Sequence, residues 1–149
     1  MNKKSIVLIV IICILLIVFG IFLYPDQTVK KINVGDTQFS IPSEYNEQVI
    51  SKSLVKFTSG NNVFYINEKN STDINHFVNI YVNHKNKTEN KSVEISQFQS
   101  NGYNIYKSVV SDNVSVVHYW FLKNGRCYEI YTGTADSNTD NLISDIVKS

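Results

Sequence analysis

The stretch that decides the fold reads VSVVHYWFLKNGRCYEIYTGT and runs from Val114 to Thr134. Two runs rich in β-branched and aromatic residues flank Asn124-Gly125. Asn-Gly between such runs is the strongest short signal for a β-hairpin, because both turn positions need a positive φ. A two-residue loop then predicts the register of the hairpin. The predicted pairs are Lys123 with Arg126, Leu122 with Cys127, Phe121 with Tyr128, Trp120 with Glu129, Tyr119 with Ile130, and His118 with Tyr131.

This register assigns every residue of the hairpin to one face of the sheet, because strand side chains alternate in direction. The face expected to pack on the core carries Val117, Tyr119, Phe121, Tyr128 and Ile130. The other face mixes aromatic and ionisable groups and carries Val116, His118, Trp120, Leu122, Cys127, Glu129 and Tyr131.

This second face is the candidate surface for a ligand or partner. Trp120 and Tyr131 would be its aromatic anchors, and His118 and Glu129 its polar groups. The alternative is a sheet face half covered by a helix, with His118 and Glu129 at its rim.

Further strands are predicted on both sides of an ambiguous central region. Residues 37–41 alternate and stop at Pro42, residues 54–58 and 63–67 flank a Gly60-Asn61 turn, and residues 103–110 form a strand before a turn at 111–113. Residues 77–83 also favour a strand, although Ile74, Phe77, Val78, Tyr81 and Val82 share a helical stripe. We expect a polar loop over 83–92 and a short helix over 92–101, capped by Gly102.

The chain closes with an amphipathic helix over 137–149. Asp140 suits the positive first turn, and the buried stripe would be Leu142, Ile143, Ile146 and Val147. Strands followed by helices in this order predict an α+β domain with a mainly antiparallel sheet and a C-terminal helix.

The N-terminal region has a different character. Residues 6–24 contain 18 apolar residues out of 19, with no charge. As a helix this run spans about 28 Å, close to the hydrocarbon thickness of a bilayer. Lys3 and Lys4 precede it, so the positive-inside rule predicts a cytoplasmic N-terminus. No small-x-small cleavage site follows, which favours an uncleaved anchor over a signal peptide.

The predicted organisation is therefore a cytoplasmic stub (1–5), a transmembrane anchor (6–24), a short tether (25–33) and one extracytoplasmic α+β domain (34–149). Without the first 24 residues the chain carries 12 basic and 13 acidic side chains. This balance argues against a nucleic-acid partner. Cys127 is the single cysteine of the domain, so an internal disulfide is excluded.

The meander over 103–134, its Asn124-Gly125-Arg126 turn, the closing helix and the early strand that runs into Pro42 together resemble the PsbP/Mog1-like domains. The resemblance implies an α/β/α sandwich used as an accessory or binding module, and it implies no catalytic residues. The whole layout, one anchor and a small asparagine-rich domain, also resembles signal-anchored surface proteins of AT-rich methanogenic archaea.

No residue pattern predicts a cofactor or a metal. Cys127 and His118 would lie about 13 Å apart in the predicted register, too far for a catalytic dyad, so Cys127 is expected to be a buried apolar residue. His76 and His84 are too far apart in a strand or a helix to hold one metal ion. The chain has sequons at Asn70, Asn86, Asn90 and Asn113, which would permit glycosylation outside the membrane.

The sequence predicts a single-pass membrane protein whose outer domain binds a partner or a small ligand at the cell envelope without catalysis. Its predicted partners are the membrane, through residues 6–24, and an envelope protein. One alternative is an extracytoplasmic enzyme that uses polar groups near His118 and Glu129. Another is a pilin-like subunit that assembles through its apolar N-terminal helix.

Overall fold

The computed structural model describes residues 28–110, 116–133 and 137–148. These residues form nine strands and two helices, and they confirm a small α+β domain with mostly antiparallel sheets and a C-terminal helix. The elements in chain order are β1 (Val29–Val34), β2 (Thr37–Pro42), β3 (Asn46–Ser51), β4 (Leu54–Ser59), β5 (Asn62–Lys69), α1 (Ile74–Thr88), β6 (Val93–Ser100), β7 (Tyr103–Val110), β8 (Val117–Lys123), β9 (Arg126–Thr132) and α2 (Ser137–Lys148).

Several predictions concern residues outside these ranges. The predicted stub (1–5), the predicted anchor (6–24), the first part of the tether and the turn at 111–113 all lie outside the described residues. Within residues 28–110, 116–133 and 137–148, neither helix has the length and apolar character needed to cross a bilayer.

Seven strands form one antiparallel sheet in the order β3-β4-β5-β9-β8-β7-β6, and β1 and β2 form a separate antiparallel hairpin. The predicted hairpin at Asn124-Gly125 joins β8 and β9 with φ values of 52° and 72° at the two turn residues. Its register agrees at every predicted pair, from Lys123 with Arg126 to His118 with Tyr131. The predicted hairpin around Gly60-Asn61 joins β4 and β5.

The predicted strand over 77–83 is wrong, because these residues belong to α1. The Asp73 side chain caps the helix by accepting a hydrogen bond from the backbone N–H of His76 at 3.2 Å. Ile74 and Val78, which belong to the helical stripe, are buried against the sheet. The predicted polar loop over 83–92 is also shortened, since α1 continues to Thr88.

The predicted helix over 92–101 is also wrong, because these residues form β6. Asn101-Gly102 is a second Asn-Gly turn, with φ values of 51° and 85°, and it pairs Ser100 with Tyr103 in a two-residue hairpin. Gly102 therefore completes a β-turn and does not cap a helix. A second Asn-Gly dipeptide thus joins β6 to β7, and the meander begins at β6.

The tether predicted over 25–33 is shorter than expected, since Val29–Val34 form β1 and pair with β2. The β1–β2 hairpin packs on the sheet face opposite α1. Phe39 of β2 makes edge contacts with Tyr128 and Phe121, at centroid distances of 5.1 and 6.3 Å. The start of the chain described by the structure is therefore part of the core.

The closing helix α2 packs on the same sheet face as the hairpin. Ile143, Ile146 and Val147 are fully buried and Leu142 is partly buried, so the predicted stripe is confirmed. Burial of each such side chain stabilises the fold by about 1.5–3 kcal/mol. The sheet therefore lies between α1 on one face and α2 with the β1–β2 hairpin on the other.

Polar contacts fix both ends of α2 on the sheet. In its first turn, Asp140 accepts hydrogen bonds from Lys107 Nζ at 2.8 Å and from the Tyr119 hydroxyl at 2.7 Å. At its last turn, Lys123 Nζ donates to the carbonyl oxygen of Val147 at 2.8 Å. Burial lowers the pKa of Lys123, and nearby Lys31 lowers it further.

Candidate functional site

The two faces of the β8–β9 hairpin separate as predicted. Val117, Tyr119, Phe121, Tyr128 and Ile130 are all fully buried on the face that packs against α2 and the β1–β2 hairpin. The opposite face carries the predicted site residues, and α1 covers part of it.

Trp120, predicted as an aromatic anchor, lies beneath α1. Its side chain is 1% exposed and packs in a cluster with Ile74, Val78 and Cys127. The Tyr81 ring of α1 covers it, at a centroid distance of 5.2 Å. Trp120 therefore belongs to a second apolar core between α1 and the sheet, as expected if a helix half covers this face.

Cys127 is fully buried in the same cluster, as predicted for a small apolar residue. Burial raises the pKa of its thiol to about 11, and the nearby Glu129 carboxylate raises it further. Since the thiolate is the reactive form, we expect this cysteine to be unreactive in the folded protein.

His118 and Glu129 form a hydrogen-bonded pair at the edge of α1. His118 Nδ1 lies 2.8 Å from Glu129 Oε1, and the side chains are 17% and 10% exposed. The backbone N–H of His118 donates to the Ser108 hydroxyl at 3.1 Å, which holds β8 against β7 at this point. The predicted pair of polar groups at the rim of a covering helix is therefore present.

Lys69 completes this group and was not predicted from the sequence. Its ammonium lies 2.6 Å from Glu129 Oε2, so one carboxylate contacts two basic side chains. Burial has the largest single effect on Glu129 and raises its pKa. Hydrogen bonds and charge interactions with His118 and Lys69 together outweigh burial, so the pKa of Glu129 lies below its ordinary value. We call Lys69, His118 and Glu129 the ion cluster.

The signal for Lys69 is not local. Lys69 ends β5, which is separated from β9 by α1 and three strands along the chain. In the β5–β9 ladder Lys69 is opposite Cys127, and Asn67 is opposite Glu129, so Lys69 reaches the carboxylate diagonally. Only the pairing of these two distant strands brings the ammonium to the site.

A row of stacked rings continues from the ion cluster across the sheet. Tyr131 stacks on Tyr65 with a centroid distance of 4.6 Å and an angle of 8°, and on His118 at 5.7 Å and 26°. Lys56 Nζ lies over the Tyr65 ring at 5.9 Å. Tyr131 therefore stacks on a ring from each neighbouring strand. Burial raises the pKa of the Tyr131 hydroxyl.

The sheet beyond this row is less covered. Helix α1 packs mainly on β6 and β8, whereas Leu54, Lys56, Thr58, Tyr65 and Asn67 on the same face of β4 and β5 are all partly exposed. We call Tyr131, Tyr65 and Lys56, together with the ion cluster, the tyrosine shelf. It combines three predicted residues, Tyr131, His118 and Glu129, with three that were not predicted, Tyr65, Lys56 and Lys69.

The remaining histidines and the sequons were also considered as candidate sites in the sequence. Among the residues that the structure describes, no group of three or more histidine, cysteine or acidic side chains is arranged to hold a metal ion. His76 and His84 are both exposed on α1. The sequon residues Asn70, Asn86 and Asn90 are exposed, and Asn113 lies outside the described ranges.

Comparison with known proteins gives no functional assignment. No protein-family model matches the chain. No curated protein matches it significantly.

Proposed function

We propose that this protein is a single-pass, membrane-anchored extracytoplasmic binding module that docks an envelope protein on the tyrosine shelf without catalysis. The anchor rests on the uncharged apolar run over 6–24 and the lysines before it. The PsbP/Mog1-like resemblance belongs to the same proposal. It is supported by a sheet that carries helices on both faces.

The observation that carries the proposal is the tyrosine shelf itself. Tyrosine is enriched where protein surfaces meet, because one end of its ring is apolar and the other forms hydrogen bonds. Tyr65 and Tyr131 stack on each other, so little side-chain entropy is lost when a partner covers them. Lys56 on the shelf favours an acidic segment of the partner.

A topology experiment tests the anchor. Cys127 is buried, so an added cysteine at an exposed residue such as Asn104, after Cys13 has been replaced by serine, is the reactive thiol among the described residues. We expect a membrane-impermeant maleimide to label Asn104→Cys in intact cells. Labelling only after the cells are lysed would contradict an extracytoplasmic domain.

A cross-linking experiment tests the shelf. A photoreactive phenylalanine at Tyr65 should give one reproducible adduct with a membrane or envelope protein. The adduct should be lost in Tyr131→Ala and retained in Ile80→Ala, whose side chain is 52% exposed on the outer side of α1. An equal yield in the two variants, or no adduct, would contradict docking on the shelf.

The ion cluster favours catalysis as the second candidate function. An imidazole whose Nδ1 is held by a carboxylate, here at 2.8 Å, has its Nε2 oriented to act as a general base. If the protein is an enzyme, His118→Gln should abolish turnover of a cell-envelope substrate. Under the binding hypothesis, loss of shelf residues affects the adduct and no turnover is found.

A further inference from the structure

A groove lies on the opposite sheet face from the tyrosine shelf. It encloses about 950 Å³ between α2 and the β1–β2 hairpin, a volume within the range of small-molecule sites. Its apolar lining comes from the hairpin, the sheet and the helix, and includes Val29, Pro42, Tyr45, Phe64, Leu142 and Ile146.

Helix α2 supplies part of the polar lining of this groove, and Ser40, Glu44, Asn62 and Thr132 supply the rest. Asn138, Thr139 and Asn141 contribute amide and hydroxyl groups, which form hydrogen bonds with uncharged polar ligands. The charged residues at the groove include Asp145 and Lys148, and these two pair with each other at 2.8 Å. The Glu44 carboxylate also lines the groove, so the lining disfavours an anion and suits an amphipathic molecule with an apolar chain and a polar part without net charge.

The position of the groove along the chain points to the source of such a molecule. Val29, which lines the groove and is 53% exposed, follows Tyr24 at the end of the predicted anchor by only five residues. An extended chain spans at most ~3.3–3.6 Å per residue, so five residues reach about 17 Å. With residues 6–24 in the membrane, as the proposed function has it, this end of the groove lies within about 17 Å of the bilayer.

We infer that the groove binds a hydrocarbon chain of a lipid from the adjacent membrane leaflet, with the lipid's polar part against the amide groups of α2. This inference rests on the membrane anchor of the proposed function and is independent of the tyrosine shelf. The apolar lining removes the chain from water, which is the main favourable contribution to binding.

The test uses the full-length protein in vesicles of phosphatidylcholine with a small fraction of phosphatidylcholine that carries a diazirine near the end of one acyl chain. After irradiation, the labelled residues are located by mass spectrometry. We expect label both within residues 6–24 and at the groove, on Tyr45 or Leu142. The outer side of α1, at Ile80, is the internal control for adsorption to the surface and should carry little label.

Two variants make the test specific. Asn141 is exposed and lines the groove, so Asn141→Trp fills the groove from a position that tolerates a large side chain. This variant should reduce groove labelling several-fold and leave labelling of residues 6–24 unchanged. The matched control, Asn104→Trp, places the same side chain at another exposed asparagine and should leave both unchanged.

The outcomes separate this inference from the proposed function. Label confined to residues 6–24 retains the anchor and overturns the lipid site. Label at the groove that persists in Asn141→Trp, or that is equally strong at Ile80, also overturns it. A cross-link from the groove to residues 6–24 or to a second copy would identify a protein segment as the occupant and overturn it. Absence of label from residues 6–24 refutes the anchor, and with it the premise of the lipid site.

Discussion

Replacing the carboxylate at the centre of the ion cluster should destabilise the domain. In Glu129→Gln the ammonium of Lys69 loses its ion-pair partner, and the imidazole of His118 loses a charged hydrogen-bond partner. Removing one member of a buried ion pair costs about 3–5 kcal/mol. The side chains of Lys69 and His118 are 23% and 17% exposed, so water replaces part of the lost interaction. We therefore expect a loss of about 2–3 kcal/mol in the free energy of unfolding at neutral pH.

The chain contains its own probe for this measurement. Trp120 is the single tryptophan, and it is 1% exposed beneath α1. Its fluorescence should shift to longer wavelength on unfolding, so urea titrations of the full-length protein in detergent report the opening of this face. Glu94→Gln is the matched control, because Glu94 is an exposed glutamate on β6. A change below about 0.5 kcal/mol is the expected result for such a surface substitution.

The pH dependence gives a second, independent measurement. The pKa of Glu129 is lower in the folded protein than its ordinary value of 4.5. The stability that it contributes is therefore fully present above pH 4.5 and is lost as the pH falls through the folded pKa. Glu129→Gln should remove this part of the acid sensitivity. Equal stability of Glu129→Gln and Glu94→Gln at pH 7, together with unchanged acid sensitivity, would refute the reasoning about the ion cluster.

Three further predictions concern other parts of the fold. Gly35 has a φ of 61°, and an added methyl group would collide with the Glu68 carboxylate, whereas Gly60 has a φ of 56° and open space around it. In urea titrations, Gly35→Ala should therefore lower the free energy of unfolding more than Gly60→Ala does. Equal losses in the two variants would contradict the collision. In a Cys13→Ser background, the thiol of Cys127, with its pKa raised to about 11, should react with maleimide at pH 8 only after urea unfolds the chain, and rapid labelling of the folded variant would show that Cys127 is accessible. Tyr119→Phe removes the hydrogen bond to Asp140 and should lower the free energy of unfolding by about 1 kcal/mol at pH 7; no change in the urea midpoint would mean that this bond contributes nothing net.

Part of the fold could be predicted from short-range patterns because the relevant interactions are local. Asn124-Gly125 supplies the two positive φ values that its turn needs, and a two-residue turn then fixes the register of both strands. The apolar stripe of α2 repeats with the period of a helix, so its buried side follows directly from the sequence.

The errors arose where two local patterns compete. Residues 77–83 are rich in β-branched and aromatic side chains, yet they also carry a helical stripe. They form a helix, because Asp73 caps its start and the stripe is buried against the sheet. Residues 92–101 end at Asn101-Gly102. Gly102 was expected to cap a helix, whereas it belongs to the turn of a β-hairpin. Composition did not decide either region, because strand propensity depends on whether a neighbouring strand is present.

The sequence by itself determined on which side of the β8–β9 hairpin each residue lies, since alternation is a property of the backbone. It therefore placed His118, Glu129 and Tyr131 on one face together. Only the tertiary structure decided that α1 covers Trp120 and that β5 brings Lys69 to the Glu129 carboxylate. These contacts join elements far apart in the chain. Their formation depends on the packing of whole elements, which no short stretch of sequence specifies.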